Sequence, residues 1–144
     1  MTFRYLDLAD LLIIAEAVLE TPAEKLAYSS RLTLAESAAH APAASYDGID
    51  FYPDLPTKAA VLCIHIAKNH PFPDGNKRVA FLAMIEFMER NGHRWTPPPG
   101  DEDGEVSAQI ILDVAAGPVN DHVIARLARW ISERVGITEH GITG

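Results

Sequence analysis

The sequence predicts an all-α fold, a compact bundle of about six helices with one small β-hairpin ahead of its most polar loop. Three observations predict it. Apolar residues recur at helical spacing along most of the 144 residues, two segments are apolar on nearly every side, and Asp, Thr, Pro and Asn-Gly signals punctuate the intervals between them.

Asp7 precedes Leu8, Leu11, Leu12, Ala15, Val18 and Leu19, an acidic N-cap followed by a helical stripe, and Thr21-Pro22 marks its stop. The Ala-rich stretch from Pro22 to His40 predicts one or two short helices ended by Ala41-Pro42. From Tyr46 to Pro53 an Asp-Gly turn signal sits among aromatic and β-branched residues, which predicts a hairpin or extended flap and the only strands of the chain. Thr57 is expected to cap a helix over Lys58 to Lys68, whose Ala59-Ala60-Val61-Leu62-Cys63-Ile64 interior suits the centre of a domain. Val79 to Met88 repeats that character, and Asn91-Gly92 closes it. Thr96 to Gly104 reads as a rigid and then acidic connection, followed by amphipathic helices over Glu105 to Ala116 and Asn120 to Val135 and a frayed tail over Gly136 to Gly144. No repeat or linker divides residues 1–144, so one domain is expected, with its core over about 46–92.

Composition narrows the function. Twelve basic against 20 acidic side chains give a net charge of −8 and a pI near 5.1, so the surface as a whole repels phosphate backbones and no direct nucleic-acid partner is expected. Apolar runs such as Leu11 to Ala15 fall far short of the roughly 18 residues of a membrane span. The first residues lack a signal-peptide core, and the single Cys63 cannot form an internal disulfide, which together predict a cytoplasmic protein.

The chemistry concentrates in Asn69-His70-Pro71-Phe72-Pro73-Asp74-Gly75-Asn76-Lys77-Arg78, between the two most apolar helices. Gly75 and Asn76 stand where the second helix begins, so its free N–H groups and positive dipole end face the loop and make an anion site. Lys77 and Arg78 are unfavourable for that dipole unless they serve a bound polyphosphate. Asp74 offers a hard carboxylate for Mg²⁺, and His70 is a side chain type that accepts a proton near neutral pH. Taken singly, a turn with an N-cap and a structural histidine would explain each feature; taken together, a cap requires no such string.

This string resembles the signature of the Fic/Doc family, His-Pro-Phe-x-Asp/Glu-Gly-Asn, then Gly or Lys, then Arg. The likeness runs from about Tyr46 to Gly92, and the short chain with its leading Tyr5 to Asp10 segment is most similar to the family's Doc, or death-on-curing, toxin branch. The resemblance implies that His70 is the general base, Asp74 the Mg²⁺ ligand, Gly75, Asn76, Lys77 and Arg78 the nucleotide-phosphate contacts, and Phe72 the anchor of the loop. A flap ahead of the string recurs in the family, and Tyr46, Asp47, Phe51 and Tyr52 are candidates to align a target segment by strand addition, with packing of the aromatics on the bundle as an equal alternative. Lys77 stands where AMP-transferring members carry Gly, which implies transfer of a phosphoryl group from Mg-ATP to a protein hydroxyl, with elongation factor Tu as target. Gly75, where the Doc branch has Ala, keeps AMP transfer as an alternative. No Glu is followed by Gly or Asn, so the family's built-in inhibitory motif is missing and the resemblance implies a Phd-like antitoxin acting in trans.

Three further readings compete. A scaffold that has lost catalysis and only binds a partner is opposed by the intact His70, Asp74, Lys77 and Arg78. A zinc hydrolase built from His65, His70, Asp74 and His93 has poor ligand spacing, and a ribonuclease toxin is at odds with the acidic charge.

Overall fold

The computed structural model describes residues 2–137. Seven α-helices and two small two-stranded sheets occupy those residues. The first helix, α1 (Leu8–Leu19), opens with a reciprocal capping box between Asp7 and Asp10. Two short helices follow, α2 (Ala23–Ser29) and α3 (Leu32–His40), and a 3-10 turn over Ala41–Ala43 ends them at Pro42. The expected flap is a minimal hairpin of β1 (Ser45–Tyr46) and β2 (Ile49–Asp50), with Tyr46 opposite Ile49. Both turn residues, Asp47 and Gly48, have positive φ, the geometry that an Asp-Gly pair tolerates best.

Helix α4 (Leu55–Asn69) is the axis of the domain, packed against α3, α5 (Asn76–Arg90), α6 (Glu105–Ala116) and α7 (Asp121–Ser132). Ala59 to Ile64 are all buried, as an all-round apolar helix requires. Its start differs from the sequence expectation. Asp54, not Thr57, is the N-cap, and its carboxylate accepts from the Thr57 N–H at 2.8 Å. Pro56 sits in the first turn, where a missing N–H costs nothing, so the helix begins earlier than the apolar stripe.

Lys58 is completely buried in α4, the least expected core residue. Its ammonium donates to Asp50 Oδ2 and to the Pro42 carbonyl, each at 3.0 Å, and lies over the Phe3 and Tyr5 rings. Burial pushes its pKa down, but Tyr5 and Asp50 outweigh that and raise it, so the ammonium is held in the charged form. Lys58 thereby fastens the base of the flap to the start of α4.

A second sheet corrects the expectation of a single strand pair. Strand β3 (His93–Trp95) pairs antiparallel with β4 (Val135–Ile137), Arg94 opposite Gly136. Helix α7 therefore ends at Ser132, before Val135, and Gly136 and Ile137 belong to a strand where a tail was expected; residues 138–144 lie outside the described residues. Trp95 on β3 stacks edge-on against Phe81 of α5 and lies 5.7 Å from Trp130 of α7, centroid to centroid.

Helix α6 is fixed by its N-terminal approach. Asp101 is buried and accepts from the N–H groups of Val106 and Ser107 and from the Ser107 hydroxyl. The Ser107 hydroxyl first, then these backbone donors, hold its carboxyl below the usual range. Gly104, just ahead of the helix, has φ +78°, and a Cβ there would run into the Phe81 ring and approach Arg78 Nη1 to 3.2 Å. Gly104→Ala is therefore expected to destabilise the protein by about 2 kcal/mol through strain and overpacking together. A urea midpoint equal to that of the unsubstituted protein would contradict this packing.

Candidate active site

The loop between α4 and α5 is shaped by two left-handed residues, His70 at φ +49° and Gly75 at φ +69°. His70 is the C-cap of α4, and its N–H still donates to the Ile66 carbonyl, so the chain turns out of the helix there and leaves the imidazole exposed. For a non-glycine residue this conformation stores about 1 kcal/mol of strain, which the surrounding contacts must sustain. Gly75 is required for a second reason. A Cβ on it would stand 3.0 Å from Val18 and 3.1 Å from Leu19, because the end of α1 leans against the loop.

The loop is closed by its own residues. Asn76, 8% exposed, accepts from the Phe72 N–H at 3.0 Å and donates to the Phe72 carbonyl at 2.9 Å. The Phe72 ring is buried in the core beneath, and the Arg31 N–H donates to the Pro71 carbonyl at 2.7 Å from the α2–α3 turn. The side chain of Asn76 is thus spent on holding the loop, and its backbone N–H at the start of α5 is what it offers to an anion. Asp74 accepts the Gly75 N–H through Oδ1 and is exposed.

His70, Pro73, Asp74, Gly75, Asn76, Lys77 and, from α6, Leu112 line one open groove of about 330 Å³. An exposed imidazole, an exposed carboxylate and the N-terminus of a 15-residue helix therefore face one space. Another groove of about 350 Å³, between α6 and α7, is lined by apolar residues such as Ile110, Val114 and Trp130 with Arg126 as its charge, and offers no acid–base pair.

Residues 5–88 match the Fic/DOC family. The chain belongs to that family. It is 35% identical over 96 residues to the toxin Doc of Mycolicibacterium smegmatis (strain ATCC 700084 / mc(2)155), an alignment covering 66% of this chain and 72% of the relative. No solved structure matches.

The two cations of the Fic/DOC signature part company in the structure. Lys77 lines the groove, and its ammonium donates to Gln109 of α6 at 2.8 Å. Arg78 turns to the start of α6, donating to the Asp103 carbonyl at 2.6 Å and pairing with the Glu105 carboxylate. The residues lining the groove include none from the flap, whose foot at Asp50 is tied to Lys58, twelve residues before His70. Tyr46 and Phe51 are 77% and 58% exposed, so these two rings do not pack on the bundle, while Tyr52 is half-buried with its ring edge-on to Phe51. His65 is engaged by the Val61 carbonyl of its own helix, and among the described residues no three His, Cys, Asp or Glu side chains gather as metal ligands. Lys68, four residues before Phe72, donates to the Ala115 carbonyl and so caps the end of α6 rather than its own helix.

Sequence reasoning missed the α6 wall entirely. Glu105, Gln109 and Leu112 reach the signature residues from about thirty positions downstream, beyond the matched family region, and no local pattern marks them. The Arg78–Glu105 pair is exposed enough to contribute only about 0–1 kcal/mol to stability. Glu105→Gln is expected to leave the melting temperature nearly unchanged and, by freeing Arg78 from a competing anion, to tighten binding of inorganic triphosphate, used as an anion probe, by about 2- to 5-fold. Calorimetric titration at low salt checks this, and weaker binding would show that Glu105 supports Arg78 instead.

Proposed function

We propose that the protein is a Doc-type toxin that transfers the γ-phosphoryl group of Mg-ATP to a protein hydroxyl, with elongation factor Tu in the cytoplasm as the target. The observation that carries this reading is the shared groove of His70, Asp74 and the α5 N-terminus. The residues fit a magnesium-bound triphosphate: Asp74 keeps its second carboxylate oxygen out of the loop's hydrogen bonds, and the first-turn N–H groups of α5 have no acceptor within the helix. Mg-ATP, when bound, supplies an electrophilic phosphorus and the charge neutralisation that a loose phosphoryl transfer needs.

Within that site His70 Nε2 or Nδ1 accepts the proton of the target hydroxyl as its oxygen bonds to the γ-phosphorus. The bond from that phosphorus to the β,γ-bridging oxygen breaks, and ADP leaves. Asp74 would hold Mg²⁺, and the α5 N–H groups and Lys77 would take the phosphate charge. His70 suits the base because its exposed side chain lines the groove beside Asp74, and the Asn76 clasp holds the loop that carries both. Inhibition is assigned to a Phd-like antitoxin supplied in trans, consistent with the toxin named among its relatives.

Incubation of the purified protein with elongation factor Tu and ATP labelled at either the α or the γ position tests the reading. Label from γ alone is expected on the target. Retention of α label would replace phosphoryl transfer with AMP transfer, which Gly75 also suits. Expression without any partner that leaves a bacterial host growing normally would remove the toxin assignment.

A further inference from the structure

The two signature cations are held by chemically different acceptors. Arg78 meets a carboxylate, which cancels its charge locally, whereas Lys77 meets the neutral amide oxygen of Gln109 at 2.8 Å. The Gln109 amide is itself oriented: its Nε2 donates to Asp113 Oδ1 at 2.9 Å, and a carboxylate can only accept, so the oxygen must face Lys77. The chain carboxylate, amide, ammonium therefore runs in one sense along one exposed face of α6. Leu112, between the two partners in sequence, is the α6 residue that lines the groove.

We infer that Gln109, locked by Asp113, is a positioning residue that holds the Lys77 ammonium at the groove with its charge uncancelled, making Lys77 rather than Arg78 the resident cation for the nucleotide phosphates. An ammonium has three N–H donors, and one bond to an amide leaves two for a phosphate. A lysine is a flexible point charge that must otherwise be ordered when ligand binds, at an entropic cost of about 1 kcal/mol. Holding it beforehand converts that cost into affinity. A carboxylate at position 109 would hold the ammonium equally well but would neutralise it, as Glu105 does to Arg78. The inference rests on the reading of the groove as a nucleotide site, and it adds the residue that tunes that site's charge.

Gln109→Leu and Gln109→Glu, both at an exposed position, test it in the full-length protein. In the unsubstituted protein the ¹⁵N resonance of the Lys77 ammonium is expected to show slowed exchange with water, which Gln109→Leu abolishes and Gln109→Glu retains. Mg-ATP titration is expected to show a 3- to 10-fold higher Kd for both variants at low salt, with melting temperatures unchanged. The dependence of Kd on salt should flatten most in Gln109→Glu, a signature that a merely structural role would not produce. If the unsubstituted protein binds Mg-ATP and both variants bind it equally well, Gln109 does not position Lys77 and the inference falls alone. If the unsubstituted protein binds no Mg-ATP, the nucleotide reading falls and takes this inference with it.

Discussion

Replacing His70 with alanine is expected to lower transfer to the target by about 10²- to 10⁴-fold while leaving the fold intact, the range over which a positioned general base contributes. The expectation of an intact fold is specific to this position. The imidazole is exposed, and what His70 contributes to structure is its backbone, whose N–H closes the last turn of α4. Alanine keeps that N–H and adopts φ +49° only somewhat less readily than histidine, so circular dichroism should be unchanged and the urea midpoint should stay within about 1 kcal/mol of the parent. A variant that folds normally and still transfers phosphate at the parental rate would end the assignment of His70 as the base. A variant that folds normally, has lost transfer and still arrests growth would show that the protein acts by binding a partner.

Asn76→Ala is expected to have the opposite profile. The side chain makes two hydrogen bonds to the backbone of Phe72, in a site 8% exposed, and both partner groups would be orphaned beneath the loop. Each orphaned backbone group costs about 1–3 kcal/mol, so a loss near 3 kcal/mol is expected for the pair, read as a lower urea midpoint. Because the same two bonds fix Phe72 between His70 and Asp74, the variant should also lose about 10²-fold in transfer under conditions where it remains folded. Asn76→Asp, which keeps an acceptor for the Phe72 N–H but offers no donor to its carbonyl, should fall between. Equal stability of all three proteins would mean that the loop is held from outside, by Arg31 or by α1, and not by its own clasp.

How much of this was legible in the sequence depends on whether the deciding partner is near or far along the chain. The Asp7 cap, the Asp-Gly flap turn, the apolar α4 and the start of α5 at Asn76 are all set by residues within one or two turns, and each could be read directly. The start of α4 was displaced because Asp54 and Thr57 are both able caps, and only the position of Pro56 decides between them. Strands β3 and β4 were illegible since three residues carry too little alternation, and their pairing spans some forty positions. Inside the site the signature residues were legible as a string, but not their division of labour. That Asn76 serves the loop and Arg78 faces α6 follows from contacts with Phe72, Asp103 and Glu105 that have no expression in the motif itself. Lys58 was hidden for a related reason, since a lysine among Thr57, Ala59 and Ala60 looks like the polar edge of a helix until Asp50 and the Phe3 and Tyr5 rings are seen around it.

The placement of α4 has a bearing on when the groove can form during synthesis. The helix that carries His70 at its end buries its apolar sides against α6 and α7, and α7 is completed only at Ser132. A nascent chain that has released the whole signature loop, up to Arg78, still lacks those two covering helices and most of α5, and α4 then has only α3 and the 3-10 turn to pack on. The β3–β4 clip comes later again, since Val135–Ile137 must emerge to meet His93–Trp95. The signature loop is thus translated before the helices that bury its supporting helix, so the groove takes shape only after α6, α7 and β4 have been made.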